Sequence, residues 1–258
     1  MKVGMFDSGI GGLSILSSLL TIRPDAQVYY FADDAFAPYG SKSDEVLLER
    51  SIVIVDKFIE LGIDLIVLAC NTATAVCIDD LRTRYPEIQF VGIEPYVNIV
   101  NQIPWDDKKK AVILTTPLTG KSSRFNKLKE KLDPNNYLSH YSCPGLAQIV
   151  ETAYWEKKEQ ERLESEIRNE LSSLLTKGYE YYILGCTHYP LVSKYIQRIS
   201  GAKVLSPCRA VANRISDLMG QASTSVDGTM IDFYFYSSAR HQDFIKQEFP
   251  ITRPWPEL

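Results

Sequence analysis

Two distant stretches of this chain echo one another. Leu65-Ile66-Val67-Leu68-Ala69-Cys70-Asn71-Thr72 and Tyr181-Tyr182-Ile183-Leu184-Gly185-Cys186-Thr187-His188 each run from an apolar strand into a small residue, a cysteine and two polar residues. A short, unbroken apolar run is what a strand covered on both faces looks like, and such strands belong to the parallel sheets of α/β folds. In those folds ligands bind beyond the carboxyl ends of the strands. Each half of the chain therefore offers one thiol at the edge of its own sheet. Asn71, Thr72 and Thr187, with backbone N–H groups at the helix starts that follow, supply donors that suit a carboxylate and favour a thiolate. A buried cysteine at a strand end is by itself an ordinary small core residue. The matched pair is what points to catalysis.

The rest of the pattern agrees. Val3-Gly4-Met5-Phe6, Gln27 to Phe31, Asp64 to Ala69 and Phe90 to Ile93 read as strands, alternating with amphipathic helices at Gly11 to Thr21 and Ser43 to Leu61. In the second helix Val46, Leu47, Arg50, Ile54 and Phe58 fall near helical spacing, and Gly62 marks its stop. After a turn expected at Pro104-Trp105-Asp106-Asp107 a second set of strands follows, at Ala111 to Thr115, Leu138 to Cys143, Tyr181 to Leu184 and Lys203 to Leu205. This βαβ alternation predicts mostly parallel sheets with right-handed crossovers. No low-complexity tract or long linker separates the halves. We therefore expect two α/β domains facing each other across a cleft that holds the active site, residues 1–95 with 206–258 in one and 96–205 in the other. The Glu/Lys-rich stretch from Trp155 to Arg168 reads as a solvated helix face and is assigned no function.

Composition narrows the function. A net charge of -4 gives no general attraction to nucleic acid or to an anionic membrane. Small molecules are the expected partners. The five cysteines, at 70, 77, 143, 186 and 208, are odd in number, widely spread and never spaced C-x-x-C, so they read as reduced thiols rather than as disulfides or a metal site. No basic leader precedes the first strand and no apolar run approaches a membrane span, which makes the cytoplasm the expected location.

Two further segments lie at strand ends. Phe6-Asp7-Ser8-Gly9-Ile10-Gly11-Gly12 leads from a strand through a glycine-rich turn into a helix, but it lacks both the G-x-G-x-x-G spacing and the Lys-Ser/Thr ending of a nucleotide cradle. Asp7 has two readings, a partner for a substrate ammonium or a thiol, and a cap on the helix. Pro38-Tyr39-Gly40-Ser41-Lys42-Ser43, after the acidic pair Asp33-Asp34, forms a turn whose backbone donors suit a carboxylate, although taken alone it is an ordinary turn.

Taken together, Phe6 to Ser14, Pro38-Tyr39-Gly40, Ala69-Cys70-Asn71-Thr72-Ala73, Gly92-Ile93-Glu94-Pro95 and Leu184 to Leu191 (Leu-Gly-Cys-Thr-His-Tyr-Pro-Leu) resemble the glutamate racemase family, in family order and over most of the chain. The resemblance implies two pseudo-symmetric α/β domains and a cofactor-free, metal-free interconversion of L- and D-glutamate that supplies D-glutamate for peptidoglycan. It implies that Cys70 and Cys186 are the acid/base thiols, with Asp7 and His188 as polar helpers and Glu151 near the active site. For Glu151 the alternative is a surface helix residue. Ser8, Pro38, Tyr39, Gly40, Asn71, Thr72, Thr116, Thr119 and Thr187 would line the substrate. A homodimer is common among such proteins. The short run before the first motif leads us to expect activity independent of nucleotide-linked wall precursors.

Three departures bear on specificity and rate. Asp33-Asp34-Ala35-Phe36 stands where the family usually reads Asp-Thr-Ala-Arg, Tyr96 stands where a glycine is typical, and Ser206-Pro207 where an acidic residue is common.

Inverting a stereocentre without a cofactor means taking a proton from one face and delivering another to the opposite face, so two acid/base groups are required. By the resemblance, Cys186 deprotonates the L-isomer and Cys70 the D-isomer, and the domains are expected to rock together on binding substrate. Competing readings are racemisation of another acidic amino acid such as aspartate, a regulatory gyrase-binding protein on a racemase scaffold, and a cysteine hydrolase using Cys186 and His188. Neighbours two apart seldom form a productive dyad, which counts against the last.

Overall fold

The computed structural model describes residues 1–103, 110–221 and 230–250. The expected turn at Pro104 to Asp107 lies outside the described residues. In chain order the first part comprises β1 (Lys2–Asp7), α1 (Leu13–Ile22), β2 (Gln27–Ala32), α2 (Asp44–Glu60), β3 (Leu65–Leu68), α3 (Asn71–Arg84) and β4 (Gln89–Gly92). The second part comprises β5 (Ala111–Thr115), α4 (Pro117–Lys121), α5 (Ser123–Leu132), β6 (Ser139–Ser142), α6 (Leu146–Glu156), α7 (Gln160–Glu170), α8 (Ser172–Leu175), β7 (Tyr181–Leu184), α9 (Ser193–Ser200) and β8 (Lys203–Leu205). The chain then runs through α10 (Cys208–Met219), β9 (Met230–Ser237) and β10 (Ile245–Pro250).

The described residues form two compact units, those of 1–93 with those from 208 to 250, and those of 94–207. Their sheets share one plan. In the first the order is β10-β9-β2-β1-β3-β4, in the second β6-β5-β7-β8. The first strand of each unit pairs with the second on one side and the third on the other, and the fourth follows the third, all in parallel. β3 and β7 are therefore topologically equivalent, and both are buried along their whole length. This is why their sequences are continuously apolar instead of alternating.

The helices follow local chemistry. Ser43 caps α2 by accepting the Val46 N–H, Asp44 and Glu45 sit in its first turn and Lys57 in its last, each placed to suit the helix dipole. Leu47, Ser51, Ile54, Val55 and Phe58 form its buried stripe. Val46, counted with that stripe in the sequence, is instead exposed, because it falls on the flank of the helix away from the sheet. The two strands that the sequence did not announce, β9 and β10, extend the first sheet. β9 lies parallel to β2 and β10 antiparallel to β9. α10 packs on α1, and Arg23 ties their ends by donating to Ser216 O and Gly220 O at 3.1 and 3.0 Å. Among the described residues no helix is long and apolar enough to cross a membrane.

Candidate active site

In the first unit β1 ends in Asp7, which is fully buried. Its Oδ1 accepts the Ser8 N–H at 2.8 Å and its Oδ2 the Gly12 N–H at 2.7 Å, so the carboxylate spans the glycine turn and caps the entry to α1. β3 delivers Cys70 to the N-cap of α3. The thiol donates to Ser8 Oγ at 3.8 Å, and that hydroxyl donates to Asp7 Oδ1 at 3.4 Å. Cys70, Ser8 and Asp7 thus form a polar chain from thiol to carboxylate. Burial, and after it the negative charge of Asp7, push the Cys70 thiol well above its ordinary value, against the Ala73 N–H and the Ser8 bonds. In this unit these effects favour Cys70 as a neutral thiol.

Asn71 and Thr72 open α3 and are buried. Asn71 Nδ2 reaches Ile93 O at 3.5 Å, while Oδ1 is buried with no hydrogen-bond partner among the described residues. A buried unpaired acceptor costs about 1–3 kcal/mol and invites a donor from a ligand. Tyr39 is buried as well, but its hydroxyl turns inward and donates to Asp33 Oδ2 at 2.9 Å, while Pro38 and Gly40 are exposed.

The structure also accounts for the departure at Asp33 to Phe36. Arg50 of α2 binds both carboxylate oxygens of buried Asp33, its Nε donating to Oδ2 at 2.8 Å. Phe36 lies beneath two cations, with the Arg50 guanidinium carbon 5.5 Å and Lys42 Nζ 4.9 Å from its ring centre. The added acid, Asp34, accepts from Ser237 Oγ, Ser238 Oγ, the Ala239 N–H and Arg240, so its charge anchors the turn after β9. The sequence named both Arg50 and Asp34 but could not show their partners, which tertiary structure supplies. Tyr96 packs at the edge of the second unit's core.

In the second unit β7 delivers Cys186, buried, at the position equivalent to Cys70. Gly185 before it lies against β5, and a methyl there would meet Leu114 O at 2.7 Å. In the first unit Ala69 stands at the equivalent position, and the glycine before α1, Gly12, makes room for it, since a methyl on Gly12 would stand 2.7 Å from Ala69 Cβ. Cys186 Sγ lies 3.9 Å from His188 Nδ1, and His188 Nε2 lies 2.8 Å from Glu151 Oε2 on α6. Neighbours two apart in sequence seldom form a productive pair. Here the backbone turns tightly, the Tyr189 N–H returning to Cys186 O at 3.3 Å, and the thiol and the imidazole come within 3.9 Å of each other. Because a carboxylate only accepts, Nε2 carries the proton in this bond, and Nδ1 faces the thiol.

Thr116 caps α4 by accepting the Thr119 N–H, and its hydroxyl donates to Thr119 Oγ1 at 3.0 Å. Thr119 and Thr187 are buried. Cys143, just after β6, is a second buried thiol in this unit, pushed upward by burial and then by the charges of Glu170 and Cys186. All five cysteines are free. The first unit therefore gathers Asp7, Ser8, Cys70, Asn71 and Thr72 at one sheet edge, and the second gathers Cys186, Thr187, His188 and Glu151. Each set joins a thiol to a carboxylate, through a hydroxyl in one and an imidazole in the other. Among the described residues no group of three or more His, Cys, Asp or Glu side chains is arranged to hold a metal ion.

The chain is similar to known proteins over most of its length. Residues 15–215 match the Asp/Glu/Hydantoin racemase family. The glutamate racemase of Pseudomonas aeruginosa strain UCBPP-PA14 is 34% identical over 257 residues, 99% of this chain and 95% of that protein. Among solved structures, Escherichia coli glutamate racemase in complex with L-glutamate and the activator UDP-MurNAc-ala superposes with a TM-score of 0.80 at 24% identity, covering 93% of this chain and 90% of that one. Francisella tularensis glutamate racemase in complex with D-glutamate gives 0.72 at 26% identity, covering 92% and 88%.

Proposed function

This chain belongs to the Asp/Glu/Hydantoin racemase family, and we infer that it interconverts L- and D-glutamate with Cys70 and Cys186 as the acid/base pair. The observation that carries this reading is the equivalent placement of the two cysteines, one at the carboxyl end of the third strand of each sheet, each linked to a carboxylate. In the family the product D-glutamate serves peptidoglycan synthesis.

Racemisation from the L-isomer begins with Cys186 as thiolate. His188 Nδ1 takes the thiol proton, and Glu151 stabilises the imidazolium so formed. The thiolate removes the α-proton of L-glutamate, leaving a carbanion whose charge spreads into the α-carboxylate. Cys70, held neutral by burial and by Asp7, delivers its proton to the opposite face. The reverse direction exchanges the roles. The weak acidity of the α-carbon is the main barrier, so donors around the carboxylate matter as much as the bases. We assign that work to Thr72, Thr187, Thr116, Thr119, Ser8 and the backbone N–H groups of Tyr39 and Gly40 after Pro38, with Asn71 Oδ1 accepting from the substrate ammonium.

The test is substrate choice. Purified protein given L-glutamate, D-glutamate and L-aspartate separately should racemise both glutamate enantiomers with equal kcat/KM, as the equal free energies of enantiomers require, and aspartate at least tenfold more slowly. Aspartate turnover equal to or above that of glutamate would overturn the assignment of substrate.

A further inference from the structure

We propose that Trp155 is a positioning residue of this site: its indole N–H fixes the Glu151 carboxylate so that His188 keeps one tautomer, with Nδ1 turned to Cys186. The inference rests on the racemase reading above and deepens it.

Trp155 opens the charged stretch that reads as a solvated helix face, yet it stands one helical turn after Glu151 on the same face of α6. Its Nε1 donates to Glu151 Oε1 at 3.0 Å, while Glu151 Oε2 serves His188 Nε2 at 2.8 Å. A terminal carboxylate torsion has broad, shallow minima, so an unbraced glutamate on a helix surface swings freely. An indole N–H is a donor and nothing else, so it holds one oxygen without competing for the imidazole proton. Tyr154 braces the indole in turn, its ring edge-on to Trp155 with centroids 4.8 Å apart and planes at 86°. The order of control runs from Tyr154 to Trp155 to Glu151 to His188 to the thiol. The second partner of an imidazole is what sets which nitrogen carries the proton.

Two variants separate the donor from the ring. Trp155→Phe keeps an aromatic surface and removes the N–H, whereas Trp155→Gln restores a donor at i+4 without the ring. In the phenylalanine variant kcat/KM should fall roughly three- to tenfold in both directions, the ordinary worth of one hydrogen bond, with kcat carrying the loss and KM little changed. The His188 signals in a ¹⁵N spectrum should change from a single Nε2-protonated form to a mixture of tautomers. Trp155→Gln should recover most of the rate and the single tautomer. A phenylalanine variant with wild-type rate and wild-type tautomer overturns the inference, and so do two variants equally impaired with His188 unaltered, since that marks plain packing. Wild-type protein that fails to racemise glutamate at all overturns the underlying reading instead, and the tautomer measurement, which needs no turnover, tells the two failures apart.

Discussion

Glu151 Oε2 and His188 Nε2 stand 2.8 Å apart, although the two residues belong to different elements, α6 and the turn after β7, separated by 37 positions in the chain. The bond turns a glutamate with an equally good reading as a surface residue into the far end of a Cys186–His188–Glu151 chain. Replacing Glu151 by Gln keeps the shape and removes the charge. A charge-assisted bond is worth about 1.5–3 kcal/mol, so kcat/KM should drop roughly ten- to a hundredfold with KM nearly constant. Steady-state kinetics check this, and an unchanged kcat would show that His188 works without the carboxylate.

Arg50 and Asp33 make a prediction about stability. The Asp33 side chain is 0% exposed and Arg50 is its bidentate partner. Arg50→Leu leaves a buried carboxylate uncompensated, which should cost about 3 kcal/mol in urea denaturation. Combining it with Asp33→Asn should recover a good part of that loss, because the buried charge is then gone.

Gly185 is required by its neighbours rather than by its own backbone angles. An added methyl meets a backbone carbonyl, Leu114 O at 2.7 Å, and a backbone atom in a central strand does not yield as a flexible side chain would. Gly185→Ala should destabilise the protein by about 1–3 kcal/mol. It should also lower kcat more than it raises KM, since the displaced strand end carries Cys186.

Alkaline pH should weaken the fold. The Cys77 thiol, buried against Ser51 Oγ at 3.5 Å, is pushed by burial up to about 11 from an ordinary value of 9.0. A thiol raised in the folded state contributes stability that is complete below the unfolded value and is lost as pH climbs from 9 toward 11, because the unfolded chain ionises first. Between those limits the thiol should add about 1.4 kcal/mol per pH unit to the slope of unfolding free energy. Urea titrations of wild type and Cys77→Ala at several pH values measure it. The variant starts from lower stability but should fall less steeply by that amount.

The fold and the two thiols were legible in the sequence because both are written locally. Buried parallel strands need unbroken apolar runs such as Leu65 to Leu68 and Tyr181 to Leu184, and the echoing cysteine sits immediately after each. Glu151 and His188 were visible only through resemblance, since nothing local says that α6 faces the turn after β7. The partners of Trp155, Arg50 and Asp34 were invisible for a related reason: only tertiary structure brings them to Glu151, Asp33 and the turn at Ser237 to Arg240. The strand β10 was missed because its apolar character is diluted by Lys246, Gln247 and Glu248, as befits the edge of a sheet, whereas β9, apolar and aromatic but for Asp232 and Ser237, carries a strand pattern that was left unassigned.

The central claim is that two thiols act on one α-carbon, and isotope exchange tests it directly. L-glutamate is incubated with the protein in D₂O, following optical rotation and the α-proton by NMR, beside Cys70→Ser and Cys186→Ser. The account predicts that the first D-glutamate formed carries deuterium at the α-position while the remaining L-glutamate keeps its proton, and that either substitution lowers racemisation by roughly a hundredfold or more. D-glutamate that retains the original proton, or a serine variant that racemises at the wild-type rate, would contradict it.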